Sequence, residues 1–460
     1  MTALRLRSAA SAAQGVLSTA VVSALAIVLC FGSAGASAQV YTSLWMSSGG
    51  AVGETAQFEI AQTTGNQPFA AFWTFAQLYR VPGPVIVPVA AGLLNAQGRA
   101  SFRIVVPDAP TLVGLRISVF AGNPQLYTDF LWPLAARSSA TASKVGTLVS
   151  HAMDPTVVGL PDGRFVLTGG RDRKTNQATT AVFIYDPRTN RLTSAGTLAT
   201  ARYGHLTTVL SNGKVFVVGG NVTHPEVYDP TTGTSKPLAG SLPSFSIDDC
   251  VAVRDLTNPA EWVVVNQGGH VWAYDVATGS VSTFTNPNTS SGQAVTAIPG
   301  KPEYVFVGGG LIRWPAASNA VESLNLRTGK WTTLGQVTFR SASKAIAIGP
   351  YLLIAGGLIR GGEVDDVDLF DTVSRTNYPL PRLTVTRIHY FSIGFVPSGV
   401  LRVAGGGGAW GDAGTLVEEI STTRSTPLRP VNTPASTPIF TFGRDGTALC
   451  IADQDVFYLP

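Results

Sequence analysis

The chain has 460 residues and a formal net charge of +4; 45% of it is hydrophobic, only 13% is charged, and it contains 49 glycines, 29 prolines and three cysteines. A nearly balanced charge without a basic stripe excludes the usual electrostatic footprint of a nucleic-acid binder, and three cysteines are too few for a disulfide framework. Charge at about half the usual share, together with so many turn formers, describes short buried strands joined by tight turns.

Arg5 and Arg7 precede an apolar segment from Val16 to Phe31, and Ala36-Ser37-Ala38 before Gln39 has the small-residue pattern of a cleavage site. This predicts a secretory signal peptide over residues 1–38, removed near Ala38-Gln39, and a secreted or periplasmic protein. A retained membrane anchor is the alternative. Cleavage would remove two arginines and no acid, leaving a net charge of +2. No later stretch is long and apolar enough to span a bilayer. Cys250 and Cys450 are expected to be buried, unpaired thiols.

From Tyr41 to about Pro133, short strands are expected at Ala56 to Ile60, Phe69 to Phe75, Val85 to Val89, Ala100 to Val106 and Leu115 to Phe120. Turn signals at Gly65-Asn66, Pro82-Gly83-Pro84, Asn95 to Gly98 and Pro107 to Pro110 separate them. In Arg99-Ala100-Ser101-Phe102-Arg103-Ile104 the apolar and polar residues fall on opposite faces. About seven such strands predict a small antiparallel β-sandwich over residues 39–136. The polar stretch 137–143 reads as a linker.

Beyond it, one pattern recurs. Gly213-Lys214-Val215-Phe216-Val217-Val218-Gly219-Gly220 returns as Arg164 to Gly170, Tyr304 to Gly309 and Leu352 to Gly357, and again near Gly268 and Gly405. The spacing, about 48 residues, marks a repeat architecture. Each unit adds a strand ending in a Tyr-Asp type pair (Tyr185-Asp186, Tyr228-Asp229, Tyr274-Asp275, Leu324-Asn325, Phe370-Asp371) and a further turn, as at Thr232-Gly233, Thr278-Gly279 and Thr328-Gly329. Trp331 follows in a fourth strand. Four antiparallel strands per unit make a propeller blade. With paired glycines, Tyr-Asp and Trp at these offsets, residues 144–460 resemble a kelch-repeat β-propeller, of the kind found in secreted bacterial proteins.

Six blades are counted by their glycine pairs. Ile439 to Phe442, Thr447 to Ala452 and Asp455 to Leu459 supply three more strands, and Val145-Gly146-Thr147-Leu148 matches Ala195-Gly196-Thr197-Leu198 of a fourth-strand position. The expectation is therefore an all-β chain whose seven-bladed propeller has its last blade closed by the strand near 145–149. Six blades and a loose hairpin are the alternative. The glycines are expected to serve close backbone approach and positive φ, and not a phosphate cradle, since no helix follows them.

Within that resemblance, Arg202, His205, Asp248, Asp249, Arg340, Arg387 and His389 stand at the start of innermost strands, where equivalent positions would ring one mouth of the central channel and could face a ligand. Pairing of these arginines within the blades is the competing reading. Arg171, Arg173, Arg313, Trp314, Arg360 and Trp410 lie on loops after the glycine pairs and are expected on one rim, as partner anchors. Asp365, Asp366 and Asp368 alternate along a strand and cannot converge on calcium, so they read as a solvated strand edge. The five histidines have no metal-ligand spacing, and no Gly-x-Ser-x-Gly elbow occurs. No metal or cofactor is expected.

The function expected is that of an extracytoplasmic binding protein, not an enzyme, contacting a protein or glycan through rim loops. Resemblance to kelch-type sugar mutarotases, through Arg202, Arg340, Arg387 and Asp248, gives the enzymatic alternative. Copper-radical oxidases are a more remote one, because Cys250 and Cys450 lack an evident tyrosine and histidine pair.

Overall fold

A computed structural model describes the chain from Thr42 to Pro460, except residues 50, 63–64, 76–86, 107–115, 124–125, 136–140, 149–151, 154, 173, 221, 243–248, 255–260, 268–269, 286–293, 298–302, 308–310, 314–315, 318, 339–342, 360–361, 397–399, 408–414, 422–424, 429–430, 432–437, 444–445 and 453. The chain divides into two compact units, Met1–Arg137 and Ser138–Pro460. No helix among the described residues is long and apolar enough to cross a membrane.

The first unit has two antiparallel sheets. Thr42–Ser48, Thr55–Gln62 and Arg99–Val105 form one; Val87–Leu93, Pro68–Phe75, Arg116–Asn123 and Leu126–Pro133 form the other, in that spatial order. Strand alternation builds their shared core. Ala56, Phe58 and Ile60 point inward from one strand, Phe102 and Ile104 from its neighbour, and Ala71, Val119 and Ala121 meet them from the other sheet. The Phe58 and Phe102 rings stack with centroids 5.5 Å apart. Arg99, Ser101 and Arg103 lie on the outward face of the same strand.

Among its described residues the second unit contains seven four-stranded antiparallel sheets. Sheet one consists of Thr156–Gly159, Phe165–Thr168, Thr179–Asp186 and Arg191–Arg202. Sheet two consists of His205–Val209, Val215–Gly219, Glu226–Asp229 and Thr234–Pro237. Sheets three to six begin at Asp249–Arg254, Ala294–Ala297, Lys344–Ile348 and Ile388–Val396. Sheet seven orders Ile439–Phe442, Ala448–Ala452 and Asp455–Leu459, with Ser143–Thr147 paired against the last of them. Within each four-stranded sheet of this unit the strands follow chain order, except at that final pairing.

The first strands of consecutive sheets pack side by side, from Thr156–Gly159 through to Ile439–Phe442, which in turn packs on Thr156–Gly159. Hydroxyl bonds cross some of these junctions. Ser392 Oγ donates to the Phe440 carbonyl at 2.5 Å, Thr441 Oγ1 to Val157 at 3.3 Å and Thr156 Oγ1 to His205 at 2.7 Å. Between sheets lie apolar clusters, such as Val166, Ile184, Val215, Val217 and Tyr228 at the junction of sheets one and two. Radially packed four-stranded sheets of this kind are a β-propeller.

Two local features repeat. The second strand of sheet one leaves through Gly169 (φ +59°) and Gly170 (φ +100°), a left-handed conformation that L side chains rarely adopt. A Cβ on Gly169 would stand 2.5 Å from the Arg202 carbonyl oxygen, so the glycine also permits the approach of the next segment. Three of the fourth-strand pairings are irregular. Register shifts occur opposite Ala181/Phe183, Val321/Glu322 and Val456/Phe457, and such bulges free carbonyls from the ladder. Tyr228 Oη donates to the carbonyl of Ala195 in the fourth strand of sheet one, and Tyr274 Oη to that of Ala239, just past the fourth strand of sheet two, at 2.6 Å.

Candidate functional site at the junction of the first two sheets

The segment Leu198 to His205 carries the chain from sheet one into sheet two, and Arg202 sits at its centre. Its backbone carbonyl accepts the N–H of Gly170 at 2.9 Å, tying it to the glycine pair of sheet one. Its side chain turns into sheet two, where Nε donates to Glu226 Oε1 at 2.7 Å, Nη1 to the Gly219 carbonyl at 2.9 Å and Nη2 to the His224 carbonyl at 2.7 Å. Both side chains of the ion pair are 0% exposed. Glu226 also accepts the Ala199 N–H and the Ser235 hydroxyl, each at 2.6 Å, so the carboxylate is saturated. Burial pulls the arginine pKa below its ordinary value, and the Glu226 hydrogen bond and charge pull it back up.

The same device recurs between sheets five and six. Gly357 N–H donates to the Arg387 carbonyl at 2.8 Å, Arg387 pairs with Glu418 at 2.9 Å, and its Nη1 donates to the carbonyls of Gly405 and Leu416. Glu418 accepts the Thr384 N–H at 2.6 Å and the Ser425 hydroxyl at 2.7 Å. At the corresponding place in sheet five, Asp368 accepts Thr338 N–H at 3.2 Å and Asn377 Nδ2 at 2.8 Å. The acids come two residues before Tyr228, Phe370 and Ile420 in their third strands, a regularity that aligned repeats contain and that the sequence reading passed over.

These contacts overturn the expectation that Arg202 and Arg387 face a ligand at a channel mouth. Their guanidinium groups are consumed inside the sheets, and a buried cation needs all those partners. His205 is likewise buried, 3% exposed, with Nε2 2.9 Å from Thr168 Oγ1. Burial and the nearby Arg202 charge depress its pKa to about 3, so it is neutral. Asp368 corrects the reading of a solvated edge, being 1% exposed, while Asp365 and Asp366 contact Arg382 at 3.3 and 3.2 Å. Asp248 and Arg340 lie outside the described residues. Asp249 and His389 fall in Asp249–Arg254 and Ile388–Val396, with side chains outside the described set.

Of the rim residues, Arg173, Trp314, Arg360 and Trp410 are outside the described residues, and Arg313 ends the strand Leu311–Arg313 with its side chain outside them. Arg171 is described. It opens a tight hairpin whose turn is fixed by Asp172: the carboxylate accepts the N–H groups of Lys174 at 2.9 Å and Thr175 at 2.8 Å. Asp172 N–H donates to the Gln177 carbonyl at 2.8 Å, and Arg171–Asp172 pairs with Ala152–Met153. The Arg171 guanidinium lies over the ring of Tyr203, 5.2 Å from its centroid. Tyr203, the residue after Arg202, is 37% exposed. Sequence reasoning missed Tyr203, because nothing in the repeat pattern says which residue after the arginine turns outward.

Among the described residues no group of three or more His, Cys, Asp and Glu side chains could hold a metal ion. Cys450 is buried and free, its thiol pKa raised by burial; the side chain of Cys250 is outside the described set.

No protein-family profile matches the chain, and no curated protein matches it. Among solved structures, a chain of the mitotic checkpoint complex crystal structure is similar at 11% identity with a TM-score of 0.48, covering 70% of this chain and 93% of that one. A likeness at that level carries no argument; the propeller is read from the strand pairing and packing of the chain itself.

Proposed function

We propose that this chain is an extracytoplasmic interaction protein: a kelch-type propeller of seven blades, its last blade closed by Ser143–Thr147, preceded by a β-sandwich and by a cleaved leader. Its contact surface is the rim reached by the glycine pairs, and it binds a protein partner there without catalysing a reaction. One observation carries this reading. Half-buried Arg171 and exposed Tyr203 form a cation–π pair on a hairpin and a connecting segment, both anchored to a buried ion pair. Aromatic and arginine side chains held in place before binding lose little entropy on contact, which is how interface anchors act.

Affinity capture from the extracellular fraction of the source cells, parent protein against an Arg171→Ala, Tyr203→Ala double variant, tests it. The double variant is expected to lose the captured partner while keeping the parent's thermal midpoint. An identical captured set would overturn the reading. The mutarotase-like alternative requires ligand-facing arginines at Arg202 and Arg387, and both are buried in ion pairs.

A further inference from the structure

The second strands of sheets one and two run from the turns at Asp162-Gly163 and Asn212-Gly213 to the glycine pairs, so the turns lie at the opposite end of the strands from the Arg171 rim. Between the two turns is a groove of about 250 Å³, lined by Leu160, Pro161, Asp162, Arg164, Asn212, Gly213, Lys214, Asp229, Pro230 and Thr231. The turn glycines take left-handed backbone conformations beside open space. Gly163 and Gly213 have φ of +90° and +80°, and a Cβ on either would meet nothing within 4 Å.

Its charges cancel within each sheet. Arg164 pairs with Asp162 at 2.8 Å, and Lys214 with Asp229 at 3.0 Å. A lining of two cations and two anions already paired does not concentrate an ionic ligand. Hydrogen-bonding capacity nevertheless remains. Asn212 Oδ1 accepts the Lys214 N–H at 3.0 Å, which leaves the Asn212 amide NH₂ to donate. Asp229 Oδ1 accepts the Thr231 N–H at 2.9 Å and the Thr231 hydroxyl also bonds Asp229, which leaves the hydroxyl oxygen to accept. Lys214 Nζ has two further protons beyond its bond to Asp229. Pro161 and Pro230 add C–H surface beside these groups. A volume of about 250 Å³ leaves room for a ligand the size of a single sugar ring.

Fixed, mutually paired polar groups with spare donors, small apolar walls and no net charge suit a ligand that is uncharged and dense in hydroxyls. We propose that this groove is a binding site for a neutral pyranose unit of a glycan. The site is independent of the rim reading, sharing no residue with it.

The test uses the full mature protein and four probes, the neutral methyl glycosides of glucose, galactose and mannose and the charged methyl glucuronide, with saturation-transfer NMR and calorimetry at low and high salt. At least one glycoside is expected to bind in the millimolar range with little salt dependence. An Asn212→Ala, Lys214→Ala double variant is expected to weaken it about tenfold or more, and Thr231→Val, nearly isosteric, to weaken it less. Arg171→Ala is expected to leave it unchanged, which separates this site from the rim. Thermal midpoints establish that each variant is folded. Failure of all three neutral glycosides to bind, binding indifferent to the groove variants, or preference for methyl glucuronide with steep salt dependence would each overturn the proposal.

Discussion

Arg202 and Glu226 meet at 2.7 Å with neither side chain touching solvent, and the arginine's backbone carbonyl is held at the same time by Gly170 of the sheet before. One residue thus fastens two sheets, its main chain to the first and its side chain to the second. Removing one partner of such a pair strands a buried charge, which costs about 3–5 kcal/mol. Arg202→Ala and Glu226→Ala are each expected to lower unfolding free energy by that amount in urea titrations, and an Arg202→Met, Glu226→Leu double variant by clearly less than the sum. Arg387→Ala should behave like Arg202→Ala.

Two glycines with positive φ separate conformational strain from crowding. Gly213 (φ +80°) has open space where a Cβ would go, whereas a Cβ on Gly169 (φ +59°) would meet the Arg202 carbonyl oxygen at 2.5 Å and His205 Cε1 at 2.7 Å. Gly213→Ala is expected to cost only the left-handed penalty, about 1–2 kcal/mol. Gly169→Ala should cost measurably more by the same denaturation assay, since the atoms it meets are backbone and a packed ring.

Tyr274→Phe removes a hydroxyl whose acceptor is the Ala239 carbonyl in the connection after sheet two, 2.6 Å away. A lost hydrogen bond of this kind costs about 0.5–1.5 kcal/mol, rising where the orphaned carbonyl stays dry. Tyr228→Phe, which releases the Ala195 carbonyl, should match it. Chemical denaturation of the two single variants checks both values, and a hydroxyl loss without effect would show that water replaces it.

His205 makes stability depend on pH. Its folded pKa is about 3, against an ordinary value of 6.5, because burial and Arg202 disfavour the imidazolium. Below pH 6.5 the unfolded chain binds a proton that the folded chain refuses. Stability is therefore fully present above pH 6.5 and is lost as pH falls toward 3, with a slope approaching about 1.4 kcal/mol per pH unit from this group. Denaturation curves at pH 7, 5.5 and 4.5 should show His205→Asn losing less stability across that window than the parent. Parallel profiles would refute the assignment.

The strands were legible because their marks are local. A positive φ leaves glycine behind, as at Gly169-Gly170 and Gly356-Gly357, and alternation leaves the pattern seen in Arg99–Val105. The arginines were legible as special but not as to where they point. Whether Arg202 enters the channel or its own sheet is decided by Glu226, 24 residues on, and for Arg387 by Glu418, 31 residues on. No short window contains both members. The acids could have been found by aligning third strands, since Glu226, Glu322, Asp368 and Glu418 hold one place in four repeats. Asp368 was misread for the same reason: its partners Thr338 and Asn377 come from a preceding connection and a following strand.

Thr147 and Asp455 bond at 2.8 Å across 308 residues of chain, and Lys144 meets the same carboxylate at 2.7 Å. Every other four-stranded sheet of this unit can assemble from a contiguous stretch as soon as it has been synthesised; sheet seven cannot. Its completion waits for the whole intervening chain, so it carries the largest loop-closure entropy and is the step at which a partly built molecule still offers an unpaired strand edge. The last pairing therefore forms only when both distant segments are present together, which makes it the natural final event of assembly.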